Sequence, residues 1–182
     1  MVRISWPFPV VKGAWESGRY EMGTTEPWTQ QIVANLAGAI GAENIIETGT
    51  FEGLTTLWLI STGAHVTTVE SDPERAQNAR EFFNSLGVGD QVRVITEDAL
   101  HVLRSKGDDT YDLAFLDDDH TSDHVYAEIT EAKRIVRSGG IIAVHDVIGD
   151  FGLKGVLAAH HGISLPLGQL HSNGGLGLVV VP

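Results

Sequence analysis

Four side chains close to two predicted strand ends have the types needed for joint chemistry: Asp117, His120, His145 and Asp146. An unperturbed imidazole titrates near ~6.5, so His120 or His145 can take a proton near neutral pH, with Asp117 beside them as a third catalytic group. Asp117, His145 and Asp146 can also present two carboxylates and one imidazole to a single divalent ion. Oxygen-rich ligation suits Mg²⁺ or Mn²⁺, and the imidazole admits Fe, Ni or Zn. Such an ion would hold a hydroxyl of a bound molecule and acidify it. The competing reading is structural: His145 bonds a neighbouring carboxylate, while Asp118 or Asp119 orients His120 or caps a helix starting near Thr121.

A second set lies on the loop Glu47-Thr48-Gly49-Thr50-Phe51-Glu52-Gly53. Gly49 permits a tight turn and close backbone approach to a ligand, and Gly53 permits close helix–strand contact. The loop has no Lys or Arg, so a pyrophosphate would meet backbone N–H groups but no side-chain cation. Glu70 follows 23 residues after Glu47. A carboxylate there can accept both hydroxyls of a ribose. Asp98 can accept the exocyclic amine of an adenine, and Glu47 can sit near a cationic amino group. The implied ligand has an adenosine, an ammonium group and no phosphate, which fits S-adenosylmethionine better than NAD or ATP.

Alternating strands and helices position these residues. Asn44 to Thr48, His65 to Glu70, Val92 to Glu97, Tyr111 to Asp117 and Ile141 to Asp146 read as strands. Thr25-Glu26-Pro27 reads as a helix start with a cap hydroxyl, and Ile32, Leu36 and Ile40 recur at helical spacing behind it. Further helices are expected at Gly53 to Ser61, from a cap at Asp72 to Leu86 with Gly87 beyond, at Ala99 to Ser105, and near Leu153 to His160. Val125, Ile129, Ala132 and Val136 mark one more, ended by Ser138-Gly139-Gly140. Ile163 to Leu170 and Leu176 to Val181 flank Ser172-Asn173-Gly174-Gly175 as a terminal hairpin. Apolar strands alternating with helices predict a parallel α/β sheet covered on both faces, with ligands outside the carboxyl ends of its strands. The first 24 residues show no sustained period and are expected as an arm, packed on the domain or acting as a lid or dimer contact; residues 25–182 form the domain.

The chain has 182 residues, of which 42% are hydrophobic and 20% charged, as expected of one globular domain. A formal net charge of −12 disfavours binding to nucleic-acid backbones, and the absence of cysteine excludes disulfides, thiolate zinc sites and a cysteine nucleophile. No apolar run reaches the ~20 residues of a membrane span. The start lacks a clean signal-peptide core, so a cytoplasmic location is expected.

The motifs E-T-G-T-F-E-G at 47–53, V-E-S-D at 69–72, E-D-A at 97–99, F-L-D-D-D-H at 115–120 and G-G-I-I-A-V-H-D at 139–146 resemble those of class I S-adenosylmethionine-dependent methyltransferases. The last two look most like the small-molecule O-methyltransferase branch that includes catechol O-methyltransferase and cephalosporin hydroxylase-like proteins. The resemblance covers roughly residues 25 to 182 and implies a Rossmann-like seven-stranded sheet of order 3-2-1-4-5-7-6 with strand 7 antiparallel. It implies Glu47, Gly49 and Gly53 around the methionine part, with Thr50 and Phe51 beside them. Glu70 and Ser71 go to the ribose, Asp98 and Ala99 to the adenine, and Asp117 lies beside the methyl. Phe51 stands where many class I members have a third glycine, which the catechol-type branch often lacks too. In the metal-dependent relatives a first Asp and a later acidic pair bind Mg²⁺; Asp117 and Asp146 match two of those positions, and His145 replaces an acid. Met22 or Trp28, ahead of the first helix, could shield the sulfonium.

The activity so implied is methyl transfer to a hydroxyl of a small molecule (a sugar, phenol or catechol), assisted by a divalent metal. The alternatives are metal-free transfer with a histidine base and a NAD(P)-dependent oxidoreductase. A homodimer would complete the acceptor pocket. His65 and His101 are expected far from the cleft and His124 on a helix surface. His160 and His161 are expected at a helix end, with His171 in the terminal hairpin.

Overall fold

A computed structural model describes residues 4–22, 24–149, 152–167 and 174–182. Its strands are β1 (Asn44–Thr48), β2 (His65–Glu70), β3 (Val92–Thr96), β4 (Tyr111–Leu116), β5 (Val136–His145), β6 (Ile163–Leu165) and β7 (Leu176–Val180). They form one sheet in the order β3-β2-β1-β4-β5-β7-β6. The first five are mutually parallel, and β7 runs antiparallel between β5 and β6. This is the expected Rossmann-like α/β order.

Each central strand is apolar on both sides because each side is covered. Ile45, Leu113, Phe115 and Ala143 pack on one face. Their neighbours Ile46, Ala114, Ile142 and Val144 pack on the other, as the two-residue period of a strand requires. The first face carries α1 (Pro9–Glu16), α2 (Pro27–Ala39), α3 (Leu54–Ile60) and α4 (Pro73–Ser85). The second carries α5 (Ala99–Ser105), α6 (Ser122–Ile135) and α7 (Leu153–Ala159). Asp72 caps α4 as expected, its carboxylate accepting from the Glu74 and Arg75 N–H groups at 2.8 and 3.0 Å. Among the described residues, no helix is long and apolar enough to cross a membrane.

Four local expectations are corrected. The arm contains a helix, α1, and a 3₁₀ turn at Arg19–Met22. Only Val11 and Ala14 of α1 are fully buried, too few for a helical period to show in the sequence. Aromatic contact holds the arm instead: Trp15 lies 6.2 Å from Trp6 and 6.1 Å from Trp28, and Trp6 lies 6.1 Å from Trp58. All four tryptophans of the chain thus join one cluster. In α2, Thr25 does not cap the helix; Glu26 occupies that position without a side-chain cap bond. The core face of α2 is Val33, Ala34 and Ala37, with Ile32, Leu36 and Ile40 half-buried at its margin.

Ser138-Gly139-Gly140 does not end α6. That helix passes directly into β5 at Val136, and the two glycines lie inside the strand. The register to β4 slips between Tyr111 and Leu113, and a Cβ on Gly140 would stand 2.6 Å from the Asp112 carbonyl oxygen. The glycines therefore serve a bulge rather than a cap. Finally, β6 is shorter than expected, ending at Leu165. Leu170, His171, Ser172 and Asn173 of the expected hairpin lie outside the described residues.

Candidate functional site

At the sheet centre the chain leaves β1 toward β2 on one side and β4 on the other, which opens a crevice at the carboxyl ends of the strands. A cleft of about 440 Å³ fills it. One lobe is walled by Thr50, Phe51, Glu70, Ser71, Glu97 and Ala99, and the other by Asp117, His120, His145 and Asp146, with Thr24 and Thr25 above.

Gly49 makes the first wall possible. Its φ is +81°, and a Cβ there would lie 2.1 Å from the Asp117 carbonyl oxygen, so the loop touches the end of β4 backbone to backbone. The Gly49 and Thr50 N–H groups donate to the Val69 carbonyl at 3.0 and 3.2 Å, which ties the loop to β2. Gly53, φ +75°, faces the Phe83 ring at a distance no side chain could share. Glu70 is held rigidly: its two carboxylate oxygens accept from the Phe51 and Asp72 N–H groups, each at 3.0 Å. Each oxygen retains lone-pair capacity for a diol in the cleft.

Gly49, Thr50, Phe51, Glu70, Ser71, Ala99 and Asp117 of the expected cofactor set line the cleft. Three members do not. Gly53 begins α3 behind the loop. Asp98 caps α5, accepting from the His101 N–H at 2.8 Å, and Glu97 lines the cleft in its place. Glu47 is fully buried beneath the loop, where the Thr56 hydroxyl donates to it at 2.5 Å. Burial, against hydrogen bonds from Thr56 and Thr68 that pull the other way, pushes its carboxyl up to about 8. Trp28 packs edge-on against Trp15 instead of facing the cleft, and the Met22 side chain lies outside the described residues.

The second lobe is a chain of charges. His145, 3% exposed, stands between two carboxylates: Nδ1 lies 2.9 Å from Asp117 Oδ1, and Nε2 lies 2.9 Å from Glu26 Oε2. Burial opposes charge on this ring, but Asp117, Glu26 and Asp146 outweigh it and hold the imidazole well above its ordinary value. Each ring nitrogen thus faces a carboxylate oxygen at hydrogen-bond distance. Asp117 also accepts from the Thr25 hydroxyl at 2.5 Å and lies 3.3 Å from His120 Nε2. Burial alone would raise its pKa; the charge of His145 and hydrogen bonds from both histidines hold it well below the usual carboxylate range. His120, less buried, is raised by Asp117 and Asp146 against the burial that lowers it. Asp146, whose φ of 58° turns it off the end of β5, brings Oδ2 within 3.7 Å of His120 and Oδ1 within 3.4 Å of His145. Burial raises its carboxyl, and Oδ1 has no hydrogen-bond partner.

These residues fit a divalent cation. Ligand atoms bonded at ~2.1 Å in an octahedron stand about 3.0 Å apart along its edges. Asp117, His120 and His145 each offer a ligand atom within 4.8 Å of the others, with Asp117 Oδ1 2.9 Å from His145 Nδ1 and 3.3 Å from His120 Nε2. Asp146, expected as the third ligand, approaches His145 Nδ1 at 3.4 Å but is not part of that group, and His120 takes its place. Glu26 binds the far nitrogen of His145, the arrangement that orients a ligating imidazole.

Sequence reasoning missed Glu26 and Thr25. Both precede Pro27 and read as helix-start residues; only the fold brings them against strand ends ninety or more positions away. Asp119 does not cap the helix as anticipated: it accepts from the Thr121 N–H at 2.8 Å in the turn ahead, and Thr121 occupies the cap position without a side-chain cap bond. His124 is not a surface residue: it is half-buried against Asp118, 3.2 Å away.

A cleft at the switch point of a 3-2-1-4-5-7-6 sheet defines a Rossmann-like domain of methyltransferase architecture. The chain belongs to the class I methyltransferases: a family model described as a methyltransferase domain matches residues 46–147. A Mycobacterium ulcerans protein provisionally named an O-methyltransferase is 34% identical over 128 residues, 68% of this chain and 56% of that protein. The chain thus spans a little over half the length of the curated relatives it matches. Cofactor-bound Rv0187 of Mycobacterium tuberculosis superposes with a TM-score of 0.79 at 25% identity, covering 96% of this chain and 90% of that one. The Bacillus cereus O-methyltransferase in complex with S-adenosylhomocysteine shares the fold, with a TM-score of 0.79 at 22% identity and coverage of 100% and 93%.

Proposed function

We propose that this chain transfers a methyl group from S-adenosylmethionine to a hydroxyl of a small molecule, with His120 as general base. One observation carries the reading: a single cleft joins Glu70, its carboxylate fixed by two backbone N–H groups, to the Asp117–His120–Asp146 centre. Glu70 accepts the two ribose hydroxyls. Ala99 and Glu97 border the adenine, and the glycine loop brings backbone within reach of the amino-acid part. The named ligands of relatives support this use, since one solved neighbour carries S-adenosylmethionine and another its demethylated product.

The sulfonium supplies an electrophilic methyl carbon when bound. His120 Nε2, in its neutral form and turned from Asp117 to the acceptor, would take the proton of the acceptor hydroxyl, and the freed oxygen pair would receive the methyl carbon while the sulfur keeps the bonding pair. Asp117 and Asp146 stabilise the resulting imidazolium, which returns its proton to solvent. With a metal the role of His120 changes: Asp117, His120 and His145, with Asp146 beside them, would hold a divalent ion that would fix and acidify the acceptor oxygen in place of the histidine base. A catechol, phenol or sugar diol fits that chemistry.

Calorimetric titration of S-adenosylmethionine into chelator-treated protein, repeated with Mg²⁺, Mn²⁺ and Fe²⁺, tests the reading. Micromolar binding that Glu70→Ala abolishes is the expected result. Absence of cofactor binding by the folded protein would sink it. Cofactor binding without a metal heat would leave His120 as the base and remove the metal from the proposal.

A further inference from the structure

We propose that Asp118, His124 and Glu128 form a second divalent-cation site, which pins the Asp117–Thr121 turn to α6. His124 and Glu128 stand one helical turn apart on α6 and so share a face. Asp118 reaches the same point from the turn after β4. One donor atom from each lies within 4.8 Å of the others. Tetrahedral ligands bonded at ~2.0–2.1 Å are separated by about 3.4 Å. The His124 Nε2 distances of 3.2 Å to Asp118 Oδ2 and 3.9 Å to Glu128 Oε2 bracket that value.

Burial supplies the second observation. The Glu128 side chain is 1% exposed, and its Oε1 has no hydrogen-bond partner; nor has the buried Oδ1 of Asp118. The Thr48 hydroxyl and the Asp118 carboxyl bond Glu128, and among the described residues His124, with no lysine or arginine, is the basic side chain that pairs with either carboxylate. A buried acid with a second acid beside it needs a positive charge between them or a proton shared by them. His124 Nε2 faces both, as a ligating imidazole does. One nitrogen and two carboxylate oxygens suit a borderline ion such as Zn²⁺. Asp118 also lines the cleft, so water can complete the tetrahedron from there. The consequence is mechanical. A cation here fixes Asp118 and, through the turn, its neighbours Asp117 and His120. The site is separate from the Asp117–His145–Asp146 centre and stands whether or not that centre binds metal.

The test uses the full chain with the first centre emptied, as the His145→Ala/Asp146→Asn double variant. Zn²⁺ alone is titrated into chelator-treated protein by calorimetry, and Co²⁺ binding is followed by its tetrahedral visible absorption. One equivalent should bind, and adding His124→Ala or the shape-conserving Glu128→Gln should weaken it at least ~10-fold. Circular dichroism confirms that each variant is folded, and Glu128→Gln serves if His124→Ala is not. No binding by the double variant, or unchanged affinity and Co²⁺ spectrum when His124 or Glu128 is replaced, overturns the proposal. The two acids would then share a proton.

Discussion

Glu26 Oε2 and His145 Nε2 lie 2.9 Å apart, with Glu26 fully buried and also accepting from the Thr29 hydroxyl at 3.2 Å. The pair joins the segment just ahead of α2 to the end of β5, so the proposed centre is braced from outside the cleft. A carboxylate on the far nitrogen fixes the imidazole plane and its proton. Glu26→Gln keeps the shape and removes the charge. Turnover should fall ~10–100-fold, with S-adenosylmethionine affinity unchanged because Glu26 does not line the cleft. A parallel loss of cofactor affinity, read by calorimetry, would show that Glu26 acts on the whole loop instead.

His120→Ala and Glu70→Ala should separate chemistry from binding. Removal of a general base costs about 10²–10⁴ in rate. The cofactor affinity of His120→Ala should stay close to that of the parent. Glu70→Ala forfeits two charge-assisted hydrogen bonds worth ~1.5–3 kcal/mol each, which predicts at least ~100-fold weaker cofactor binding. Equal effects of the two variants on binding would contradict this division of labour.

The sheet was legible because its signals are local. Strand boundaries at Asn44–Thr48 and His65–Glu70 follow from short apolar runs closed by an acid, and Asp72-Pro73 announces its helix. Asp117, His120, His145 and Asp146 were visible for the same reason: they sit just past strand ends. What escaped depends on distance in the chain. Thr25 and Glu26 act across the sheet, and α1 is held by tryptophans scattered from Trp6 to Trp58. Ser138-Gly139-Gly140 misled because glycine suits a helix end and a strand bulge alike, and only the approach of Asp112 decides between them. Asp98 and Glu47 read as ligand groups; the fold adds what no local motif announces, a bond from the start of α5 to the first and a buried threonine beside the second.

Glu47 should impress a pH dependence on stability. Its carboxyl is raised from an ordinary value of 4.5 to about 8 in the folded chain. Between those values the folded state holds a proton that the unfolded state has released. Stability attributable to this group is therefore greatest below about pH 4.5 and declines as pH rises toward 8, by an amount on the order of a few kcal/mol at most. Denaturant unfolding of Glu47→Gln at several pH values should show a shallower decline across that window than the parent. An identical slope would show that Glu47 is ionised in the fold.

Two glycines of similar conformation should respond differently to alanine. Gly63 has φ +92° and open space around its missing Cβ, so Gly63→Ala carries only the left-handed penalty of about 1–2 kcal/mol. Gly49→Ala adds a collision with the Asp117 carbonyl, which is backbone and cannot rotate away. It should cost clearly more stability and also shift Asp117, lowering cofactor binding and turnover together. Gly63→Ala should leave both functions intact. Comparable losses from the two variants, by thermal unfolding and calorimetry, would remove the close loop–strand contact from the account of the site.

Removal of residues 1–24 tests whether the arm is an appendage. Val11, Ala14 and Tyr20 are fully buried against the first face of the sheet, and the Tyr20 hydroxyl donates to Gln30 at 2.9 Å. Deletion would expose Trp58 and the outer side of α2, and each lost aromatic contact is worth ~0.5–1.5 kcal/mol beyond its burial. Arg19 pairs with Glu52 of the cofactor loop at 2.6 Å, but both side chains are partly exposed and the pair contributes little by itself. The truncated chain should therefore unfold at markedly lower temperature or aggregate, whereas Arg19→Ala should be close to neutral in stability. Were the truncated chain as stable as the parent, the arm would be free to act as a lid. Because the tryptophans bind it to the same core that carries α3, its removal should instead disturb the loop ahead of that helix.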